Sequence, residues 1–346
     1  MLNETDNHIR RARRASFEAI PVVDLGPWFE GDEKARQELA RQLGDICQNV
    51  GFFYVRNHGV SQQGIADTFQ AARQFFALPE DRKAAIHFTK ARKQRGYIPL
   101  RAESSDPDAK GDVKEALDFT FPTPPPTLPK DVSDPAAYHM VGPNLWPRSL
   151  PGFRHTIEAY FQEMIGLGRT LFEVFAVSLG LPPLTFRDKT DRPIAQLRLL
   201  HYPPQHEPID RSYLGIGAHC DYECFTILAQ GEVGGLQVRN PVGEWIEAPP
   251  IPGTFVVNLG EMLARWTNDV FTATPHRVIN RTGQERYSIP FFFGTNYDAV
   301  IESLETCCGP ERPSRYPPVQ AGHYLASRLH EVYGSLGPAE QAELPA

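Results

Sequence analysis

The sequence predicts a mainly β protein with flanking helices, and three observations carry that prediction. After Pro182, strand-like runs follow one another: AQLRLLHY, FTILAQ, GLQVR, EWIEA, TFVVNLG, RVI and RYSIPFFFGT, punctuated by Gly, Pro and Asn. Short strands at this spacing make a β-sandwich or barrel. Thirty-two prolines in 346 residues break the chain too often for a helix bundle. Before the strands, a single long apolar stripe at helical spacing (Ile157, Phe161, Met164, Ile165, Phe172, Phe175) needs a surface to cover.

Taken in order, IPVVDL (20–25) reads as a short strand. KARQELARQLGDICQNV then sets Leu39, Leu43, Ile46 and Val50 on one helical face. GFFYVRNHGV is a β-branched and aromatic strand running into a turn at Asn57–Gly59. QQGIADTFQAARQFFAL is a second helix, and the proline-rich FPTPPPTLP is an extended loop. The long helix spans about Arg154 to Leu179, its aromatic stripe packing as core. No internal repeat and no inter-domain linker stand out, so one β unit buttressed by N-terminal helices is expected.

Composition narrows the function. Forty-one per cent hydrophobic and 22% charged residues describe an ordinary folded protein. A net charge of −7 argues against a nucleic-acid partner, which calls for a concentrated basic face. The basic cluster RRARR (10–14) lacks a following apolar segment, so it reads as a solvated tail and not as a secretory signal. No run is long enough to span a membrane. Five cysteines without a C-x-x-C pair point to free thiols and a cytoplasmic location. The oligomeric state has no signature in the sequence.

The chemistry starts at GAHCDYECF (217–225). Side chains two apart on a strand share a face, so His219 and Asp221 converge and Cys220 turns away. Of eleven histidines, His276 in TATPHRVIN stands out as a third ligand: it lies immediately before a strand, about fifty-five residues after Asp221, enough for several barrel strands and a return to the same end. Two imidazoles and a carboxylate make the facial triad of non-haem iron oxygenases, which leaves coordination positions open. A structural zinc site would favour thiolates and close its shell. Ten residues on, RYS sets Arg286 and Ser288 on one strand face, a guanidinium fork with a neighbouring hydroxyl suited to a carboxylate. Phe291, Phe292 and Phe293 cannot all face inward on one strand, and core packing is their expected role.

HCD, TPHRV and RYS in this order, with RLLHYPP upstream, resemble the iron(II)/2-oxoglutarate-dependent oxygenases of the isopenicillin N synthase-like family. IPVVDL, GFFYVRNHGV, RGYIP, KEALDF and GPNLWP are similar to the family's N-terminal segment, and RYPPVQAGHYLASRL to its C-terminal helix entry. The resemblance implies a distorted double-stranded β-helix, or jelly roll. It implies Fe(II) held by His219, Asp221 and His276, 2-oxoglutarate and dioxygen as co-substrates, Arg286 and Ser288 on the distal carboxylate, and Tyr202 hydrogen-bonded to the co-substrate. The expected organisation is a polar tail (1–15), a helix-rich segment (16–150), a jelly-roll core with its long helix (151–305) and a helical tail (306–346). Two positions depart from the pattern: Leu200 stands where many members carry Asn, and Gly260–Glu261 where Gly-Asp is usual. The implied activity is oxidation, foremost hydroxylation, of a C–H bond in a small-molecule metabolite, with release of succinate and CO2. Same-fold oxidases that do not consume 2-oxoglutarate, ethylene-forming relatives and a non-catalytic metal-binding jelly roll are the competing readings.

Overall fold

In the computed structural model, residues 17–90, 95–104, 111–121, 143–205 and 214–333 are described. The RRARR cluster and most of the FPTPPPTLP loop lie outside them. The strands are β1 (Val22–Asp24), β2 (Phe52–Arg56), β3 (Gly96–Ile98), β4 (Glu115–Thr120), β5 (Pro193–Tyr202), β6 (Ile216–His219), β7 (Phe225–Gln230), β8 (Leu236–Arg239), β9 (Trp245–Glu247), β10 (Phe255–Leu259), β11 (His276–Val278), β12 (Arg286–Asn296), β13 (Val300–Ile301) and β14 (Val319–Gln320). Eight form a major sheet in the order β1-β2-β10-β7-β12-β5-β4-β3, and four a minor sheet in the order β6-β11-β8-β9. Sequence-distant strands pair antiparallel throughout, except that β1 runs parallel to β2. This is the jelly roll, with helices against the outside of the major sheet.

The period-two pattern of the strands decides what faces where. On β7, β10, β5 and β12 the outer residues Phe225, Ile227, Val257, Leu197, Phe291 and Phe293 join the helix-packed core. Their neighbours Thr226, Asn258, Arg198, Arg286, Ser288 and Phe292 take the inner face and border one cavity, shared with residues of the minor sheet. An apolar outer row and a polar inner row on the same strands put the hydrophobic core under the helices and leave the inside of the roll for chemistry.

Three helices follow the predicted periodicity: α1 (Glu33–Asn49), α2 (Gln62–Phe76) and α3 (Phe153–Ser178). Asp32 caps α1 by accepting from the Ala35 amide at 3.0 Å, and Ser61 caps α2 by accepting from the Gly64 amide at 3.1 Å. On α1, Leu39 and Leu43 are buried as expected, but Ala40 and Cys47 complete the buried face, and Ile46 is only half-buried. The long α3 lies on the outer face of the major sheet: Phe172 meets Phe225 edge-on at 5.0 Å between ring centroids, and Phe161 meets Phe291 at 5.1 Å. Gly168 makes this approach possible, because a Cβ there would sit 2.4 Å from the Phe293 ring. Two further helices, α4 (Glu261–Trp266) and α5 (Ala321–Tyr333), flank the metal-side end of the roll.

Candidate metal and co-substrate site

The minor sheet brings the two histidines together. His219 ends β6, His276 opens β11, and the two are direct cross-strand partners with ring centroids 4.3 Å apart. Asp221 reaches them by a different route from the one its spacing suggests. The strand stops at His219 and the chain bends, so the convergence comes from a turn and not from two positions on one strand face. The same bend turns Cys220 toward the cavity, where a continuous strand would have turned it away. The turn is clamped from behind: the Glu261 amide donates to the Asp221 carbonyl at 2.8 Å and the Gly260 amide to the Cys224 carbonyl at 2.9 Å. Only glycine fits at position 260, where a Cβ would lie 2.1 Å from the Glu223 carbonyl oxygen.

Donor atoms from His219, Asp221 and His276 lie within 4.8 Å of one another. Asp221 Oδ1 is 3.6 Å from Nε2 of His219 and 3.7 Å from Nε2 of His276. Each ring's other nitrogen faces a backbone carbonyl, Gly217 at 2.8 Å for His219 and Thr274 at 3.3 Å for His276. A carbonyl only accepts, so Nδ1 carries the proton and Nε2 keeps its lone pair for a metal. The far oxygen of Asp221, Oδ2, accepts from Thr226 Oγ1 and, at 2.7 Å, from Asn258 Nδ2. Thr226 and Asn258 are themselves a cross-strand pair on β7 and β10. Burial would raise the Asp221 carboxyl, but His276, His219 and the Thr226 hydroxyl hold it well below the usual carboxylate range. Burial, then the neighbouring His219, push His276 down to about 4, so its ring is neutral at neutral pH. One carboxylate and two imidazole donors, with both Nε2 atoms turned to Asp221 Oδ1, fit a divalent cation of intermediate hardness.

Across the cavity, β12 and β5 supply the second polar group. Arg286 faces Tyr202 and Ser288 faces Leu200 in the register of that pair. The Arg286 side chain is 1% exposed, its Nη1 donates to Ser288 Oγ at 3.1 Å, and its guanidinium lies 4.7 Å from the Tyr202 ring centre. Its Nε has no hydrogen-bond partner, and no carboxylate pairs with it among the described residues. Burial pulls the guanidinium's pKa down despite the contact with Tyr202. A buried, unneutralised arginine costs on the order of several kcal/mol unless an anion meets it. All six predicted residues therefore border one cavity of about 180 Å³.

Several cavity residues were not anticipated. Thr226 and Asn258 are polar residues at inner positions of otherwise apolar strands, a signal present in FTILAQ and TFVVN. Phe292 lines the cavity while Phe291 and Phe293 pack as core, so the core role holds for two of the three phenylalanines. Leu200 borders the cavity where an Asn would bring an amide. At the far wall stand Glu103, Lys114, Gln196, Arg198 and Glu223, none marked by a motif. Arg198 donates through Nε and Nη2 to Asp118 at 2.8 and 2.7 Å and through Nη1 and Nη2 to Glu103, both at 3.0 Å. Burial raises the Asp118 carboxyl to about 6 in spite of Arg198. Burial and the charge of Asp221 raise Glu223 to about 7.

A jelly roll with an open His–Asp–His cluster beside a buried arginine defines the class of mononuclear non-haem iron oxygenases. Residues 20–149 match the family model described as non-haem dioxygenase in morphine synthesis N-terminal, and residues 193–295 match the 2OG-Fe(II) oxygenase superfamily. The chain is 34% identical over 326 residues to the 2-oxoglutarate-Fe(II) type oxidoreductase hxnY of Emericella nidulans, covering 91% of each chain. It is 34% identical over 333 residues to the homoarginine-6-hydroxylase 2-ODD-233 of Oryza sativa subsp. japonica, covering 91% of this chain and 98% of the relative. Among solved structures it resembles a full-length Neurospora crassa protein in complex with alpha-KG, with a TM-score of 0.81, 31% identity and coverage of 90% of this chain and 96% of that one. The chain belongs to the Fe(II)/2-oxoglutarate-dependent oxygenases of the isopenicillin N synthase-like family. It is a 2-oxoglutarate-dependent non-haem iron dioxygenase, with Fe(II), 2-oxoglutarate and dioxygen as its cofactor and co-substrates. Related structures bind small molecules: the same Neurospora crassa protein has been solved with alpha-KG and thymine together. No helix among the described residues is long and apolar enough to cross a membrane.

Proposed function

We propose that His219, Asp221 and His276 hold the Fe(II), that Arg286 and Ser288 bind the distal carboxylate of 2-oxoglutarate with Tyr202 beside it, and that the enzyme hydroxylates a C–H bond of a small-molecule metabolite. The observation that carries this reading is Arg286: a cation 1% exposed, with an orphaned Nε, on the same cavity as the three metal donors. A guanidinium in that setting calls for a bidentate anion, and the dicarboxylate co-substrate supplies one. When bound, iron and co-substrate supply the oxidising chemistry, in which 2-oxoglutarate and dioxygen yield succinate, CO2 and the oxidised product.

The chain's own residues hold and exclude. Thr226 and Asn258 fix the rotation of Asp221 so that Oδ1 faces the histidines. The Gly217 and Thr274 carbonyls fix both ring tautomers. Leu228, Leu236, Val278 and Pro290 form apolar walls that limit water at the reacting centre. Arg198, Glu223 and Phe292 border the cavity and are only half-buried, which supports entry of substrate from their side. The rice relative named as a homoarginine hydroxylase and the thymine complex of the Neurospora crassa protein support a small metabolite as substrate. A net charge of −7 supports a function without nucleic acid. Five free thiols support a reducing compartment, the cytoplasm.

Calorimetric titration of 2-oxoglutarate into Mn(II)-loaded protein tests the assignment of Arg286. In Arg286→Met, which keeps the bulk and removes the charge, affinity drops by about 100-fold or more, in line with loss of a charge-assisted pair. Unchanged affinity in that variant means the co-substrate is held elsewhere.

A further inference from the structure

One row of residues on the inner face of the major sheet runs from the metal site to the far wall. Asn258 on β10, Thr226 on β7, Phe292 on β12 and Gln196 on β5 are successive cross-strand partners, and all four border the cavity. Thr226 is the residue that holds Asp221. Neighbouring strands lie about 4.8 Å apart, so Gln196 stands about 10 Å across the sheet from Thr226, with Phe292 between them.

Gln196 is 9% exposed and its amide has one orientation. Its Nε2 donates to Asp118 Oδ2 at 2.9 Å, an oxygen that also accepts from Arg198 Nη2 at 2.7 Å, so turning the amide round would set oxygen against carboxylate. The carbonyl end, Oε1, accepts from no group among the described residues. Thr120 on β4, the other row neighbour of Gln196, keeps a buried hydroxyl without a partner instead of donating to it. The cations on this wall are engaged by carboxylates, Lys114 by Glu103 and Arg198 by Glu103 and Asp118. Phe292 is half-buried, and no ring packs on it among the described residues, whereas Phe291 and Phe293 meet the rings of Phe161 and Phe172. A buried carbonyl without a donor is unfavourable, and a bare phenyl face is a surface on which a flat ring packs. With the Asp118 carboxylate against it and Glu103 on the same wall, Gln196 suits a group that only donates, a ring N–H, over a hydroxyl that also brings lone pairs.

We propose that Gln196 and Phe292 are the pair that selects the substrate, and that the substrate is a flat ring bearing an N–H group, which lies on Phe292 and donates to Gln196 Oε1. The assignment rests on the oxygenase reading above and names its substrate class. The ring edge away from the N–H then lies toward Thr226 and the metal donors, where the reacting C–H bond belongs.

The test uses the full-length protein loaded anaerobically with Fe(II) and 2-oxoglutarate, whose charge-transfer absorption reports the loaded site without turnover. Probes are indole, 2-oxindole and 2-quinolone, each against its N-methyl counterpart. Binding is read both as perturbation of that band and by calorimetry. At least one N–H probe binds roughly 10-fold or more tighter than its N-methyl counterpart. Gln196→Met, which keeps the length and removes the carbonyl acceptor, brings the two within about 3-fold while the band persists. Phe292→Leu weakens both members of the pair alike. Arg198 still meets both oxygens of Asp118 in Gln196→Met, so its thermal melting stays within a few degrees of wild type. The proposal is overturned if no N–H probe perturbs the loaded site, if the N-methyl probes bind as tightly as their N–H counterparts, if the preference survives in Gln196→Met, or if Phe292→Leu leaves binding unchanged. The N-methyl comparison is made in wild type and decides the matter even if a variant fails to fold. Absence of the band in wild type would instead overturn the oxygenase site assignment itself, so the two failures are separable.

Discussion

Replacing Thr226 by Val removes one hydrogen bond and almost no volume, and it isolates what the metal site owes to its surroundings. In the wild type, Asp221 Oδ2 accepts from both Thr226 Oγ1 and Asn258 Nδ2, and only Oδ1 is turned to the histidines. Valine leaves the Asn258 bond at 2.7 Å as the sole anchor, so the carboxylate can rotate about its Cβ–Cγ bond and present either oxygen. A buried hydrogen bond to a charged acceptor contributes about 1.5–3 kcal/mol. Spent on holding a ligand in place, that corresponds to roughly 10- to 100-fold weaker metal binding, the range seen when supporting partners of ligands are removed. Mn(II) titration followed by electron paramagnetic resonance counts free metal directly and gives the dissociation constant for both proteins. Thermal melting run in parallel with EDTA separates loss of metal from loss of fold. An unchanged Mn(II) affinity in Thr226→Val would show that Asp221 is oriented by something other than this pair, and the account of the inner strand faces would need rebuilding.

Other consequences of the structure can be checked in the same way. Phe293→Ala costs about 3–5 kcal/mol because that ring is fully buried against Phe172 and Phe225, whereas Phe292→Ala, which faces the cavity, leaves denaturant midpoints nearly unchanged and alters substrate binding. The buried Glu115 accepts from Lys83 at 2.7 Å and Tyr97 at 2.7 Å and faces His201 Nδ1 at 2.7 Å. Burial raises its carboxyl, but these three partners outweigh burial and hold it below its ordinary 4.5. A depressed pKa means the unfolded state binds the proton first, so Glu115 contributes stability above pH 4.5 that is lost as pH falls through its folded value. Glu115→Gln is therefore less stable at neutral pH by about 1.5–3 kcal/mol, with Lys83 left to Glu80 alone at 3.1 Å, and its deficit relative to wild type shrinks on acidification. Urea melts at pH 7 and pH 4 measure both, and a deficit independent of pH would contradict the assignment.

Much of the site was legible because its proposed ligands are chemically conspicuous. A histidine and an aspartate two apart among strands, a third histidine at a barrel's distance and an arginine two residues before a serine are polar groups where apolar ones are the rule. Strand alternation does not deliver Asp221 to the histidines; a bend after His219 does. Alternation did govern β12, where it sends Arg286, Ser288 and Phe292 inward and Phe291 and Phe293 outward. The far wall could not be read in advance. Glu103, Lys114, Arg198 and Glu223 come from separate parts of the chain, and their meeting on one cavity depends on sheet order, with β4 beside β5. Surface-like charges at ordinary positions become a wall only once the register is known. The α5 helix illustrates the same limit: Tyr324 donates to Glu261 at 2.9 Å and Arg328 pairs with Glu261 at 3.0 Å while lying over the Tyr222 ring, tying the helix to the metal turn through contacts no local motif encodes.

The most direct test of the central claim is anaerobic optical titration of the protein with Fe(II) and 2-oxoglutarate, in wild type, Asp221→Ala and Arg286→Met. The account predicts a weak visible charge-transfer band in wild type that requires both additions, is absent in Asp221→Ala, and in Arg286→Met demands roughly 100-fold more 2-oxoglutarate. A band of equal strength at equal 2-oxoglutarate in all three proteins would contradict it, because metal and co-substrate would then be held by residues other than those that converge on this cavity.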